Sequence, residues 1–251
     1  MTDNPLFDYL LRLGDTSLVL GHRLSEWCGH APELEEDVAL TNIALDLVGH
    51  ARLLLSYAGE VEGRGRDEDA LAFLRDVYDY RNHLLAEQPN RDFGHTIARQ
   101  FLHDAWALEL YGKLAASADE RLAGIAAKAV KEKRYHLRHS GEWVVRLGDG
   151  TEESRARMVD AFDRLWRFTA EMFEADAVEQ ALAAAGVAPD PATLRPAWEA
   201  RVDAVLAEAT LPARPATVGT SGGRIGRHGE HLGYLLAEMQ FLQRAYPNAA
   251  W

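Results

Sequence analysis

The chain has 251 residues, 47% of them hydrophobic and 26% charged, which is enough for a sizeable core and too apolar for a disordered segment. Lys and Arg number 27 against 39 Asp and Glu, so the formal charge is −12 and neither a basic surplus nor a basic stripe supports nucleic-acid binding. The single cysteine, Cys28, excludes an internal disulfide and any cysteine-built zinc or iron–sulfur site within the chain.

The opening MTDNPLFDYLL has no basic stretch before its apolar run, so a secretory leader is not expected. No window holds about 18 consecutive apolar residues, so neither a membrane span nor a membrane partner is expected, and the location implied is cytoplasmic. No proline falls between Pro32 and Pro89 or between Pro89 and Pro189, and these stretches are rich in Ala and Leu. Proline lacks an N–H and clashes with the preceding helical turn, so its absence permits long helices. Helices are expected at about 6–28, 33–60, 68–87, 93–117, 119–147, 152–185, 191–208 and 230–246, with no period-two strand. The fold class expected is all-α, an antiparallel helical bundle.

Pro32 and the acidic run Glu33, Glu35, Glu36 and Asp37 suit the start of the second helix. From Val38 to Ala58 apolar residues cover nearly its whole circumference, which predicts a central helix packed on several sides. Gly148 and Gly150 break the fifth helix, and Thr151 is placed to cap the sixth, with Ser154 three positions on. Residues 209–229 are the one long irregular segment. Their five glycines follow no strand and lack a Gly-Lys-Ser/Thr ending, so a linker or partner-contacting arm is expected rather than a nucleotide loop, with Arg224 and Arg227 solvated.

Two helices carry polar residues where core is expected. Ile125, Ala129, Glu132, His136, His139 and Trp143 follow in steps of four and three, with Lys133 beside the stripe. Ile43, Leu47, His50 and Leu54 form a similar stripe. Asp46 precedes His50 by four, as Glu132 precedes His136, and the two pairs lie 86 residues apart, which suggests a repeated helical hairpin. Helical-bundle carboxylate metal sites use Glu-x-x-His, because three residues nearly complete a turn and point both ligands at one ion. Of the ten histidines only His95 has an acid three positions earlier, Asp92, and that pair lies in a turn. The i, i+4 pairs suit hydrogen bonds that hold helices in register, although they could also share a metal-facing side.

The segments HRLSEWCGHAPELEEDVALTNIALDLVGHARLLLSYAGE, GHTIARQFLHDAW, KEKRYHLRHSGEW, LWRFTAEMF and HGEHLGYLLAEMQFLQR resemble the C subunits of bacterial phenylacetyl-CoA epoxidases, from about Leu11 to Trp251. The resemblance implies a single ferritin-like domain over 1–251. Its core bundle would span about 6–185, with C-terminal helices and the glycine-rich arm over about 190–251. It implies a structural subunit of a multicomponent oxygenase of aerobic phenylacetate degradation, partnered by a catalytic diiron A subunit. The expected assembly is heterodimers that associate further with the other subunits, and a homodimer is also conceivable. FAD, iron–sulfur and NADPH would belong to the reductase subunit, and this chain would hold no cofactor.

Carried onto this sequence, the metal positions of the catalytic relative fall on Glu26, Leu47, His50, Asp104, Lys133 and His136. Both histidines persist, while Leu47 and Lys133 stand where the glutamates of the two Glu-x-x-His pairs would be. No catalytic, metal or cofactor-binding residue is therefore assigned; these are vestigial positions. An ammonium at 133 is expected to replace part of the metal's charge by pairing with Asp104 or Glu26. Two other readings are an oxygenase in its own right, using Glu26, His50, Asp104, Glu132 and His136, and a free-standing helical binding protein. The C-terminal LLAEMQFLQRAYPNAAW, with Trp251, is expected to add surface for a partner.

Overall fold

A computed structural model describes residues 4–247 and 249; Trp251 lies outside the described residues. Among them the chain is all-α, without a strand. It comprises α1 (Pro5–Ser25), α2 (Leu34–Glu62), α3 (Glu68–Phe73), α4 (Phe93–Leu114), α5 (Glu120–Gly148), α6 (Glu152–Leu165), α7 (Ala177–Ala184), α8 (Arg195–Glu208), α9 (Glu230–Met239) and α10 (Phe241–Ala245). Two compact units divide it, residues 1–88 with 222–251 and residues 89–221.

In the first unit α1 packs along α2. Asn4 caps α1 by accepting the N–H groups of Leu6 and Phe7 at 3.1 and 3.3 Å, and Pro5 follows at a position where its missing N–H costs nothing. Gly21 allows the close approach: a Cβ there would stand 3.2–3.3 Å from Val48 and Leu47 side-chain atoms and the carbonyl of Ala44. Leu40, Ile43, Leu47 and Leu54 of α2 are fully buried. Leu34, Val38, Leu45, Val48 and Leu53 are exposed. The all-round apolar pattern of α2 therefore does not make it central; half of its apolar residues build the core and half face outward.

Among the described residues α2 is also the one helix long and apolar enough to cross a membrane, with a mean hydropathy of 1.4 over 18 residues. That is composition alone, and Asp46 and Arg52 put charges within its apolar run.

The expected helix at 68–87 ends at Phe73. Arg75 turns inward instead of continuing the turn, and its guanidinium meets Asp15 of α1 with Nη1 3.0 Å from Oδ2. Asp76 and Asp79 then close a short 3₁₀ turn by mutual side-chain caps. Residues 80–88 run without regular structure, and their polar groups are satisfied by side chains. Buried Glu87 accepts from the Gly229 N–H at 2.6 Å and Asn82 Nδ2 at 3.1 Å, and His228 Nδ1 lies 2.9 Å from the same carboxylate. His228 Nε2 donates to the Tyr80 carbonyl at 3.0 Å.

The glycine-rich segment divides: most of 212–221 is exposed, as an arm would be, while from Gly222 onward it is packed. Gly223 lies so close to residue 82 that a Cβ would meet the Asn82 carbonyl oxygen at 2.1 Å, and Gly226 holds φ +81° against the Tyr78 carbonyl. Arg224 is buried, contrary to the expectation of a solvated side chain. Earlier in the segment, Arg214 pairs with Glu199 at 2.9 Å and Asp203 at 2.7 Å of α8.

In the second unit α4 packs on α5, α6 and α8. Thr151 and Ser154 cap α6 reciprocally, as the sequence predicts. The expected helix at 152–185 is interrupted, because side chains take the backbone groups that would continue it. Thr169 Oγ1 donates to the Trp166 carbonyl at 2.8 Å, and Trp106 Nε1 of α4 donates to the Met172 carbonyl at 3.1 Å. Asp176 then starts α7 with a fresh cap. Trp198 fills the centre of this unit, with Trp166 and Phe173 rings 5.4 and 5.0 Å away and Nε1 donating to the Leu102 carbonyl.

Candidate functional site

The six positions singled out by the sequence divide evenly between the two units. In the first, Leu47 and His50 sit three apart on the buried face of α2, and both are almost wholly inaccessible. Glu26 ends α1 as its C-cap, with a side chain 41% exposed and Oε1 accepting from Arg23 Nη1 at 2.6 Å. Arg23 is itself fixed by donating to the carbonyls of Glu87 and His231 at about 3.0 Å.

In the second unit α4 and α5 bring Asp104, Lys133 and His136 into one buried layer. All three have no measurable exposure. Asp104 Oδ1 accepts from Gln100 Nε2 at 2.7 Å, one turn earlier on α4. Ser140 Oγ of α5 lies 3.0 Å from Asp104 Oδ2 and 3.0 Å from the carbonyl of His136, so its one proton bridges the helices or closes its own turn. The Lys133 ammonium stands 5.7 Å from the centre of the Tyr111 ring, within cation–π reach. Lys133 thus belongs to the buried row of α5, with Ala129, His136 and Ser140, and does not flank it. Glu132, His139 and Trp143, expected on that row, are half-buried at its margin. The shift is about one residue around the helix, because the buried arc is centred on the small residues Ala126, Ala129 and Gly141.

Charge in this layer is felt by the buried His103. Burial pushes its pKa down, the positive charge of Lys133 pushes the same way, and the adjacent Asp104 opposes them. His22 is lowered by burial alone. His95, whose backbone N–H is capped by Asp92 Oδ1 at 2.7 Å, is lowered to about 4, first by burial and then by Arg99 and Arg91. The Asp92–His95 pair is therefore a helix cap rather than a ligand pair.

Each of these histidines has a folded pKa below its ordinary 6.5, so the unfolded chain binds protons first. Their contribution to stability is complete above about pH 6.5 and drains as pH falls, through about pH 4 for His95. The unfolding free energy is expected to fall from pH 7 to pH 5 when followed by urea unfolding, and His95→Gln to lessen that fall by about 1 kcal/mol, discounted for solvent screening. Superimposable pH profiles for the two proteins would contradict this assignment.

These donors do not fit a pair of iron ions. Such a centre needs carboxylate oxygens to balance its charge, and position 47 offers a hydrocarbon while position 133 offers a cation. Among the described residues no group of three or more His, Cys, Asp or Glu side chains is arranged to hold an ion. Gln100, His103, Tyr111 and Ser140 were not singled out from sequence. The i, i+4 spacing of Gln100 and Asp104, and Ser140 one turn past His136, were the available signals.

Comparison with known proteins agrees with this arrangement of helices. The model of the family described as phenylacetic acid catabolic protein matches residues 1–251. The Escherichia coli (strain K12) protein named as the C subunit of 1,2-phenylacetyl-CoA epoxidase is 56% identical over 248 residues, spanning 99% of this chain and 100% of that protein. Among solved structures, a Synechococcus protein with aldehyde deformylating oxidase activity superposes with a TM-score of 0.55 at 16% identity, covering 83% of this chain and 93% of its own. That likeness speaks to the fold, which is ferritin-like. The full-length match and the high identity together establish that the chain belongs to the phenylacetic acid catabolic protein family.

Proposed function

We propose that this chain is a non-catalytic subunit of a phenylacetyl-CoA epoxidase in aerobic phenylacetate degradation, and that it binds and steadies the diiron A subunit. The observation that carries the reading is the pair of substitutions at equivalent places, Leu47 before His50 and Lys133 before His136, both on fully buried faces. Identity of 56% to a protein named as the C subunit of such an epoxidase supports assembly with other subunits. On this reading the chain holds no cofactor and works in the cytoplasm. Iron belongs to the A subunit, and flavin, iron–sulfur and NADPH belong to the reductase.

Buried acidic and imidazole groups of the second unit are then structural. Asp104 is held by Gln100 of its own helix and lies 3.0 Å from Ser140 Oγ of α5, an arrangement that needs no metal.

Co-expression with the A subunit tests the proposal through complex size and iron per chain. The expected result is a stable heteromeric complex whose iron follows the A subunit, and a purified single chain with iron far below one per molecule. Stoichiometric iron in the single chain with oxygen-dependent turnover would establish an oxygenase in its own right. Failure to associate with any epoxidase subunit would instead favour a free-standing protein.

A further inference from the structure

The outward face of α2 is ordered as a packing seam. Leu34, Val38, Thr41, Leu45, Val48 and Arg52 follow in steps of 4, 3, 4, 3 and 4, the spacing by which one helix seats its side chains between those of another. The four apolar members are exposed, Leu34 at 76%, Leu45 at 64%, Val38 at 54% and Val48 at 36%, while the opposite side of the same helix is buried against α1. The seam runs for about 27 Å. With Leu53 it presents roughly 500 Å² of apolar side chain, at the upper end of what single chains leave uncovered. A stable interface buries roughly 800 Å² per partner, so a partner seated on the seam would also cover residues at its rim. Thr41 and Gly49 keep it shallow, and a Cβ at Gly49 would meet nothing within 4 Å.

The charges beside the seam narrow what covers it. Its exposed rim carries Glu33 and Glu35 at the N-terminal end, and no lysine lies on α2. A helix that rests on lipid carries a row of Lys and Arg along its polar margin, and α2 has Arg52 alone. A parallel second copy would set acid against acid on a chain whose net charge is already −12, and an antiparallel one would bring to that end only Arg52, already paired with Glu68 at 3.3 Å. A different protein with basic residues beside its own apolar stripe meets neither objection.

We infer that the exposed face of α2 is the docking surface for a helix of the A subunit, one whose apolar stripe is flanked by Lys or Arg. The inference rests on the subunit reading above and names the surface that serves it. A helix laid along α2 would bury Val38, Leu45 and Val48 at its centre and bring cations to Glu33 and Glu35.

The test co-expresses the A subunit with the full chain, its Val38→Glu and Leu45→Glu variants, and Val218→Glu as a control at an exposed apolar residue remote in sequence. Both α2 variants should keep the melting temperature and helical content of the isolated chain, because the altered side chains are exposed. Their capture of the A subunit should fall by more than about tenfold. Val218→Glu should capture it as the unmodified chain does. Capture undiminished in both α2 variants overturns the surface and leaves the subunit reading standing. An unmodified chain that captures nothing overturns both. The surface assignment is equally overturned if Leu45→Glu abolishes only a homodimer, or only flotation of the unmodified chain with anionic vesicles, while capture persists.

Discussion

Asp15→Ala is expected to destabilise the chain by about 3–5 kcal/mol, among the largest effects of any single substitution. The carboxylate is fully buried on α1 and is the counter-charge of Arg75, a guanidinium almost as inaccessible. Two guanidinium nitrogens grip its two oxygens, and the Arg81 N–H donates to Oδ2 at 2.8 Å. Burial by itself would lower the pKa of Arg75, yet the charge and hydrogen bonds of Asp15 hold it raised. Removing Asp15 takes that support away, yet a guanidinium is too basic to shed its proton, so the variant leaves a buried cation with an orphaned backbone donor. The same arginine lies 4.5 Å over the Tyr80 ring. Gln240, at the end of α9, donates to the carbonyls of Ala72 and Arg75 at 3.0 Å, so α1, the end of α3 and the end of α9 loosen together.

Urea unfolding of Asp15→Ala, Arg75→Met and the double variant Asp15→Leu/Arg75→Met measures this. A buried pair costs desolvation on both sides, so removing both charges with bulk retained should recover most of the loss seen in either single variant. If the double variant is as unstable as the sum of the singles, the interaction is not the source of the effect.

That knot also explains where the sequence stopped being legible. Long helices α1, α2, α4 and α5 could be bounded to within a few residues, because none has a proline in its interior and Asn4, Asp92 and Asp119 cap α1, α4 and α5. The end of α3 could not. It is decided by Asp15, sixty residues earlier in the chain, and by Gln240, more than one hundred and sixty later, through hydrogen bonds that no local pattern encodes. The break after Leu165 has the same cause, since Trp106 of α4 takes the Met172 carbonyl. The reading of α2 failed for another reason. Apolar residues around a whole helix show that each face wants to be covered, but they do not say that the same chain covers them. At the candidate site, the departed carboxylates were visible in KEKRYHLRHSGEW and LDLVGH only through resemblance to relatives. The arrangement of Gln100, Asp104 and Ser140 was hidden because two of its members are neutral residues that usually lie on surfaces.

Lys133 carries the second large prediction, because its place in the buried row of α5 was the least expected feature of that helix. A lysine at a core position is stable in its charged form only among groups that repay its lost hydration. It lies beside the Tyr111 ring and in a layer that holds the buried carboxylate of Asp104. Lys133→Met keeps the length of the side chain and deletes the charge, and it is expected to cost about 2–4 kcal/mol by leaving acidic groups in that layer less compensated. Lys133→Glu restores the residue type of a Glu-x-x-His pair but adds an anion near a buried one, and it should cost more. A spectroscopic readout separates charge from packing. Lys133 helps depress the pKa of His103, so the His103 ring should titrate at higher pH in Lys133→Met than in the unmodified chain when followed by NMR. An unchanged unfolding midpoint together with an unchanged His103 titration would mean that the ammonium contributes nothing to this layer. Iron bound stoichiometrically by Lys133→Glu, and not by the unmodified chain, would show that one residue on α5 is all that keeps a metal out.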